Sequence, residues 1–277
     1  MMIAQFSSLI ALKVEHIKII TINTWKCDGN YAERMRILAE QLKNLSPGII
    51  ACQECFYSEE GNADTLKFLS DQLKMDYRFL PGRLKKRQFD GRWVESFSGL
   101  GILSAYSIIN VKQFLLPDAP GDDDRKVQQA EIRLPNGDNL LLTNTHLTHL
   151  SPTGGVRATQ AEALAGFVKV DNAYPYHIIG GDFNSIPGSA EIETFMELSR
   201  AIDCYSAGKG AEPRYSLIEA YQANKRICVD YIFALPMHGT GANPEFINSG
   251  IVLNIPDDST GLYPSDHFGI STTLVIH

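Results

Sequence analysis

The chain has 277 residues, 44 % hydrophobic and 21 % charged, with a formal net charge of −7. This is the composition of an ordinary globular protein with ample material for a core. The acidic balance excludes a protein whose affinity comes from broad neutralisation of a phosphate backbone, no apolar run reaches the roughly 20 residues of a membrane helix, and five cysteines, an odd count, do not make a disulfide framework.

Residues 1–14 are apolar and lack both a basic start and a small-residue cleavage site, so residues 1–16 read as an N-terminal extension before one domain over 17–277. A cytoplasmic location is the expectation, with secretion as the alternative. A buried strand is expected at 17–24. Asn30-Tyr31-Ala32-Glu33 reads as a capping box, and Met35, Leu38, Ala39, Leu42 and Leu45 follow at helical spacing until Ser46-Pro47-Gly48. A second strand at 48–53 ends on Glu54. Asn62 is the expected cap of a helix carrying Leu66, Leu69 and Leu73. Strands at 76–80 and 97–104 flank a basic loop, Arg83 to Trp93. Strands at 128–134 and 140–145 flank the hairpin signal Pro135-Asn136-Gly137-Asp138. Helices are expected at 156–170 and 189–198, and strands at 177–180, 229–235, 246–253 and 269–276. This mixture suggests one α/β domain with two layers of sheet.

The chemistry-bearing residues sit beside those apolar runs: Asn23, Glu54, His146, Gly181-Asp182-Phe183-Asn184, Asp230 and Ser265-Asp266-His267. Polar groups at the ends of buried strands need partners or a task. Asn23, Glu54, Asp182, Asn184, Asp230 and Asp266 are hard oxygen donors, suited to Mg²⁺ or Mn²⁺ rather than zinc. Cys52 and Cys55 form a C-x-x-C pair, but no second pair follows at zinc spacing, so they read as buried thiols. An imidazole held by a carboxylate is an acid/base device near neutral pH. Adjacent strand residues point apart, so Asp230 is a better holder of His267 than Asp266. The plainer readings are a surface carboxylate for Glu54, a turn for Asp182 to Asn184, a core hydrogen bond for His146, a loop position for His149 and a structural Asp230.

Asn23, Gln53-Glu54, Asn144-Thr145-His146, Gly181-Asp182-Phe183-Asn184, Val229-Asp230-Tyr231-Ile232 and Ser265-Asp266-His267 resemble, in order, the motifs of the endonuclease/exonuclease/phosphatase superfamily. The resemblance covers nearly the whole chain. It implies a four-layer α/β sandwich, with two packed mixed β-sheets flanked by helices, and metal-dependent phosphoester hydrolysis. It implies Glu54 as the principal Mg²⁺ ligand, with Asn23 and Asp266 beside it. Asp182 and Asn184 would position water and phosphate, His146 would contact phosphate oxygens, and His267 with Asp230 would form the acid/base dyad. Whether Asp182 or His267 takes the water's proton stays open.

Specificity has to be read from loops. The Arg83 to Trp93 segment suits nucleic-acid phosphates, a lipid headgroup or an inositol phosphate, or is a solvated hairpin tip. Arg125 or Lys126, after Asp122-Asp123-Asp124, is a candidate phosphate clamp. Ser98 to Ser104 and Thr145 to His149 resemble the neutral sphingomyelinase-like branch. The expected substrate is a phosphodiester of a small or lipid-linked molecule. The alternatives are a nuclease acting on DNA or RNA and an inactive binding module of the same fold. Nothing in the sequence fixes the oligomeric state.

Overall fold

The computed structural model describes residues 14–118, 121, 122, 124–150, 155–170 and 174–276. The expected extension lies outside the described residues as far as residue 13, as does Asp123. The elements in chain order are β1 (Glu15–Asn23), α1 (Tyr31–Leu45), β2 (Ile49–Ser58), β3 (Ala63–Asp64), α2 (Thr65–Leu73), β4 (Asp76–Pro81), β5 (Lys85–Phe89), β6 (Arg92–Ser104), β7 (Ile108–Leu115), β8 (Lys126–Arg133), β9 (Asn139–His146), α3 (Gly155–Val170), β10 (Tyr176–Asp182), α4 (Ala190–Ser199), β11 (Ile202–Asp203), α5 (Cys204–Ala207), α6 (Ile218–Gln222), β12 (Asp230–Ala234), β13 (Glu245–Val252) and β14 (Gly269–Ile276).

Among the described residues these strands form two mixed sheets. One has the order β13-β14-β1-β2-β6-β4, with β3 on β2 and β5 on β6; the other has the order β11-β12-β10-β9-β8-β7. Within each, one central pair is parallel: β1 with β2, and β9 with β10. Period-2 alternation builds the layers. Ile17, Ile19, Ile49 and Ala51 of the first sheet meet Ala130, Leu140, Leu142, Ile178 and Ile232 of the second in a central core. Ile20, Ile22, Ile50 and Cys52 point the other way and are covered by Met35, Leu38 and Leu42 of α1 and by Leu66 and Leu69 of α2. On the far side, α3 and α4 cover Ile179, Tyr231 and Phe233 with Leu164, Ala165, Val168, Ile192 and Phe195. The result is the expected helix–sheet–sheet–helix sandwich. Each of these fully buried aliphatic side chains contributes roughly 1.5–3 kcal/mol.

Several local expectations shift. β1 begins at Glu15, inside the expected extension. The Asn30 side chain does cap α1, accepting from the Glu33 N–H at 3.4 Å. The cap of α2 is Asp64, which accepts from the Lys67 N–H at 2.9 Å, whereas Asn62 occupies the preceding turn at φ 49°. The basic segment is not a loop: β5 pairs with β6 from Lys85↔Ser96 to Phe89↔Arg92. β7 was missed because it is an edge strand with most of its residues exposed, including Ile109 and Val111, so it lacks a buried stripe. Cys52 and Cys55 are both free and buried.

Candidate active site

The parallel pairs direct the C-terminal ends of β1 and β2, and of β9 and β10, to one side of the sandwich. Asn23 ends β1, His146 ends β9, Asp182 ends β10, Asp230 opens β12, and Asp266 and His267 immediately precede β14. In the second sheet the register sets Asp182 against both His146 and Asp230. Gly180 allows the sheets to close here, since a Cβ on it would lie 3.0 Å from the Ala51 Cβ.

Glu54 reaches the site by a different route from the expected one. β2 does not stop there; its pairing with β6 slips between Cys52 and Cys55, and Glu54 is the bulged residue at φ 54°. A bulge re-aims one side chain out of the alternation. Gln53 keeps the inward direction, Cys55 resumes the helix-facing one, and Glu54 enters a cleft of about 290 Å³ that His146 and Arg125 also line. A non-glycine residue in the left-handed region costs on the order of 1–3 kcal/mol, a strain that clusters at functional positions.

Asp182 is the hub. Its Oδ2 accepts from Asn23 Nδ2 at 3.1 Å and lies 3.4 Å from His146 Nε2 and 4.0 Å from His267 Nε2. Its Oδ1 accepts from the Asn184 N–H at 2.9 Å. Burial, reinforced by the nearby Asp230 charge, pushes the Asp182 carboxyl well above the ordinary range. His267 Nδ1 lies 2.8 Å from Asp230 Oδ2. Burial alone would push this imidazole down, but the Asp230 carboxylate outweighs it and raises His267 to about 10. His146 behaves oppositely: burial, with the charges of Arg125, His267 and His149, holds it well below its usual value, so it is neutral at pH 7.

The other expected residues divide. The Asn184 side chain braces the fold, donating from Nδ2 to the Leu147 carbonyl at 2.9 Å. Arg125 borders the cleft but is held by Asp122 at 2.6 Å, and that carboxylate also accepts from Thr148 Oγ1 at 2.6 Å. Asp266 is raised by burial and by the neighbouring Glu54 charge. It also closes one end of a second, mostly apolar cavity of about 880 Å³.

The donor set fits a hard divalent cation. Glu54 and Asp266 repel each other across the site, and Asn23 Oδ1, which accepts from the Trp25 N–H at 3.0 Å, retains a further lone pair. Asp182, Asp230 and His267 also bring ligand atoms within 4.8 Å of one another. The His267–Asp230 hydrogen bond, however, already satisfies that pair as an acid/base unit.

Four supporting residues had no role assigned from the sequence, although Ser265 and Thr148 lie within the quoted motifs. Lys26 Nζ pairs with Glu54 Oε2 at 3.2 Å. Ser265 Oγ donates to the Asn23 carbonyl at 2.6 Å, tying the last loop to β1. The buried Arg34 guanidinium donates to the carbonyls of Thr24, Trp25, Lys26, Asp28 and Pro264 at 2.9–3.2 Å, locking the loops that carry Lys26 and Asp266. Thr148 orders Asp122, as above. Gln53 and Asn144, which the motifs do contain, cross-link the sheets beneath the site. Gln53 Nε2 donates to Asn144 Oδ1 at 2.8 Å, and Asn144 Nδ2 donates to the carbonyls of Cys52 and Gly101 at 2.8 and 2.9 Å.

The sequence matches the Endonuclease/Exonuclease/phosphatase family over residues 20–267. No curated protein matches the chain. Among solved structures, an endonuclease/exonuclease/phosphatase family protein of Bacteroides thetaiotaomicron superposes with a TM-score of 0.73 at 16 % identity, over 96 % of this chain and 99 % of that one. A mannosyl-6-phosphatase of the same organism gives 0.71 at 16 %, over 94 % and 100 %. TDP2 of D. rerio, humanised by 14 mutations, gives 0.72 at 22 %, over 94 % and 98 %. Fold, motif order and site geometry agree: this chain belongs to the endonuclease/exonuclease/phosphatase family, whose members are hydrolases of phosphoester bonds.

Proposed function

We propose that the chain is a Mg²⁺- or Mn²⁺-dependent hydrolase that cleaves a phosphodiester of a small or lipid-linked substrate by in-line attack of water. The observation that carries this reading is the convergence of Asn23, His146 and His267 on one buried carboxylate, Asp182. Glu54 and Asp266, with Asn23, would hold the ion, which when bound would supply Lewis-acid stabilisation of charge on the phosphoryl and leaving oxygens. Asp182, raised by burial and by Asp230, takes the water's proton. His267 is already protonated near neutral pH and therefore serves as hydrogen-bond and proton donor, with Asp230 fixing its ring. Neutral His146 donates to a phosphoryl oxygen.

The mostly apolar cavity that Asp266 helps to line, with Trp25, Ile218, Leu262 and Tyr263 also in its wall, supports a lipid-linked ester, because it offers a non-polar group room next to one of the proposed ion ligands. A nuclease is the second reading. It is favoured by a neighbour of the same fold, TDP2 of D. rerio complexed with a single-strand DNA product. Hydrolysis of bis-p-nitrophenyl phosphate tests the reading. Activity is expected with Mg²⁺, none in EDTA, and a loss on the order of 100-fold or more in Glu54→Gln. Equal rates in wild type and variant would leave a binding module of this fold.

A further inference from the structure

The β5 strand sets Lys85 and Arg87 at alternate positions, so they share one side, and both line the same cleft as Glu54 and His146, as does Arg83 just before the strand. Phe89, next in that alternation, packs on Tyr31 and Phe56 at ring distances of 5.4 and 5.1 Å and anchors the hairpin. The other cleft cations have carboxylates: Lys26 has Glu54 at 3.2 Å, Arg125 has Asp122 at 2.6 Å, and Lys126 has Asp124 at 3.0 Å. Lys85 and Arg87 have no carboxylate partner among the described residues, and Arg87 donates to the Ser96 hydroxyl and carbonyl at 3.0 and 3.3 Å. Burial, with the charges of Arg83 and Arg87, depresses the Lys85 ammonium, and the opposing charge of Asp122 does not offset them.

We propose that Lys85 and Arg87, with Arg83, form a second anion subsite, and that the substrate carries, besides its scissile phosphoester, a second phosphate that docks there. This rests on the phosphoester reading of the adjoining site. Among the described residues the cleft is lined by no Phe, Tyr or Trp ring on which a base could stack, and its volume of about 290 Å³ suits a compact polar group. Both features favour a phosphorylated polyol, free or as a lipid headgroup, over a nucleic-acid strand.

Binding is measured first by calorimetry with myo-inositol hexakissulfate, which cannot be hydrolysed as a phosphoester. Wild type is expected to bind. Affinity should fall tenfold or more in Lys85→Gln/Arg87→Gln, and also in Lys85→Glu, which disturbs no hydrogen bond of the hairpin. Lys86→Gln, on the opposite side of β5, should stay within twofold. This outcome supports the subsite even if no ester is cleaved, a failure that would sink only the hydrolase reading. Absent binding, or equal affinity in all variants, overturns the subsite even in an active enzyme. Rates are then compared for glycerophosphoinositol with and without a 4-phosphate, and for the corresponding lipids in phosphatidylcholine vesicles. A preference for the extra phosphate that Lys85→Gln reduces tenfold supports the proposal, and the pair showing it identifies the source. A preference that Lys85→Gln retains overturns it. Tighter binding of a ten-nucleotide thymidine strand, weakened equally by Lys86→Gln, overturns it in favour of a nucleic-acid track.

Discussion

Replacing His177 by Gln should remove much of the protein's acid sensitivity. Tyr176 and Ile178 face the inter-sheet core, so His177 points to the helix side of β10 and is fully buried there. Its Nε2 lies 2.8 Å from Thr143 Oγ1, and that hydroxyl accepts from Gln129 Nε2 at 3.1 Å. Nδ1 has no hydrogen-bond partner, so a doubly protonated ring would bury an unsatisfied N–H whichever nitrogen carries the first proton. Burial lowers the imidazole from 6.5 to about 3. Between these values the unfolded chain binds a proton that the native protein refuses, so stability is complete above about pH 6.5 and falls as pH drops. At about 1.36 kcal/mol per pH unit, this single site removes about 2 kcal/mol by pH 5. Urea unfolding at pH 7.5 and pH 5.0, in EDTA, gives the test. Wild type should lose about 2 kcal/mol more than His177→Gln between the two pH values, and titrating groups common to both proteins cancel in the difference. Equal losses would mean that the native ring is already protonated, or that the site opens to water at low cost.

Three further outcomes are expected. Asp230→Asn should bring the His267 pKa down from about 10 toward the ordinary range, read by NMR of the ring, and lower kcat by about 10²–10⁴; an unmoved titration would break the dyad. Asn144→Leu removes the side-chain donor from the Cys52 and Gly101 carbonyls and one of the acceptors of Gln53 Nε2, which keeps Thr21 Oγ1. At roughly 1–3 kcal/mol per buried unsatisfied group it should destabilise by about 3 kcal/mol or more in urea, and a cost under about 1 kcal/mol would show that the sheets do not depend on this bridge. Arg34→Lys supplies a compact ammonium in place of a planar fork. It should lower Tm, shift Trp25 fluorescence, and reduce kcat more than it raises KM, because Asn23 and Asp266 lose their common anchor; wild-type kcat at reduced Tm would leave Arg34 with stability alone.

The legible part of the site was the part written as motifs at strand ends: Asn23, His146, Asp182, Asp230 and His267 converge as their order implied. The preference for Asp230 over Asp266 as the holder of His267 followed from strand alternation, and the 2.8 Å hydrogen bond bears it out. Glu54 was recognised, but not its means of entry, because a bulge leaves no mark in hydrophobic period. The roles of Arg34 and of Ser265, a member of the last motif, were hidden for another reason. Their partners lie up to 242 residues away, and an arginine inside a helical pattern reads as solvated surface until the fold closes over it. The basic segment was misjudged as a loop because β5, Lys85-Lys86-Arg87-Gln88-Phe89, carries polar residues on both faces and shows no apolar alternation.

The position of β14 bears on how the molecule is made. Residues 269–276 insert between β13 and β1, so a ribosome that has not yet released them presents β1 with an open flank of unpaired N–H and C=O groups, a template for strand-to-strand aggregation. Local hairpins such as β5–β6 and β8–β9 close as they emerge, whereas the first sheet waits until residues 269–276 have been made. Hydrolytic competence therefore cannot precede the synthesis of His267 and the strand that follows it.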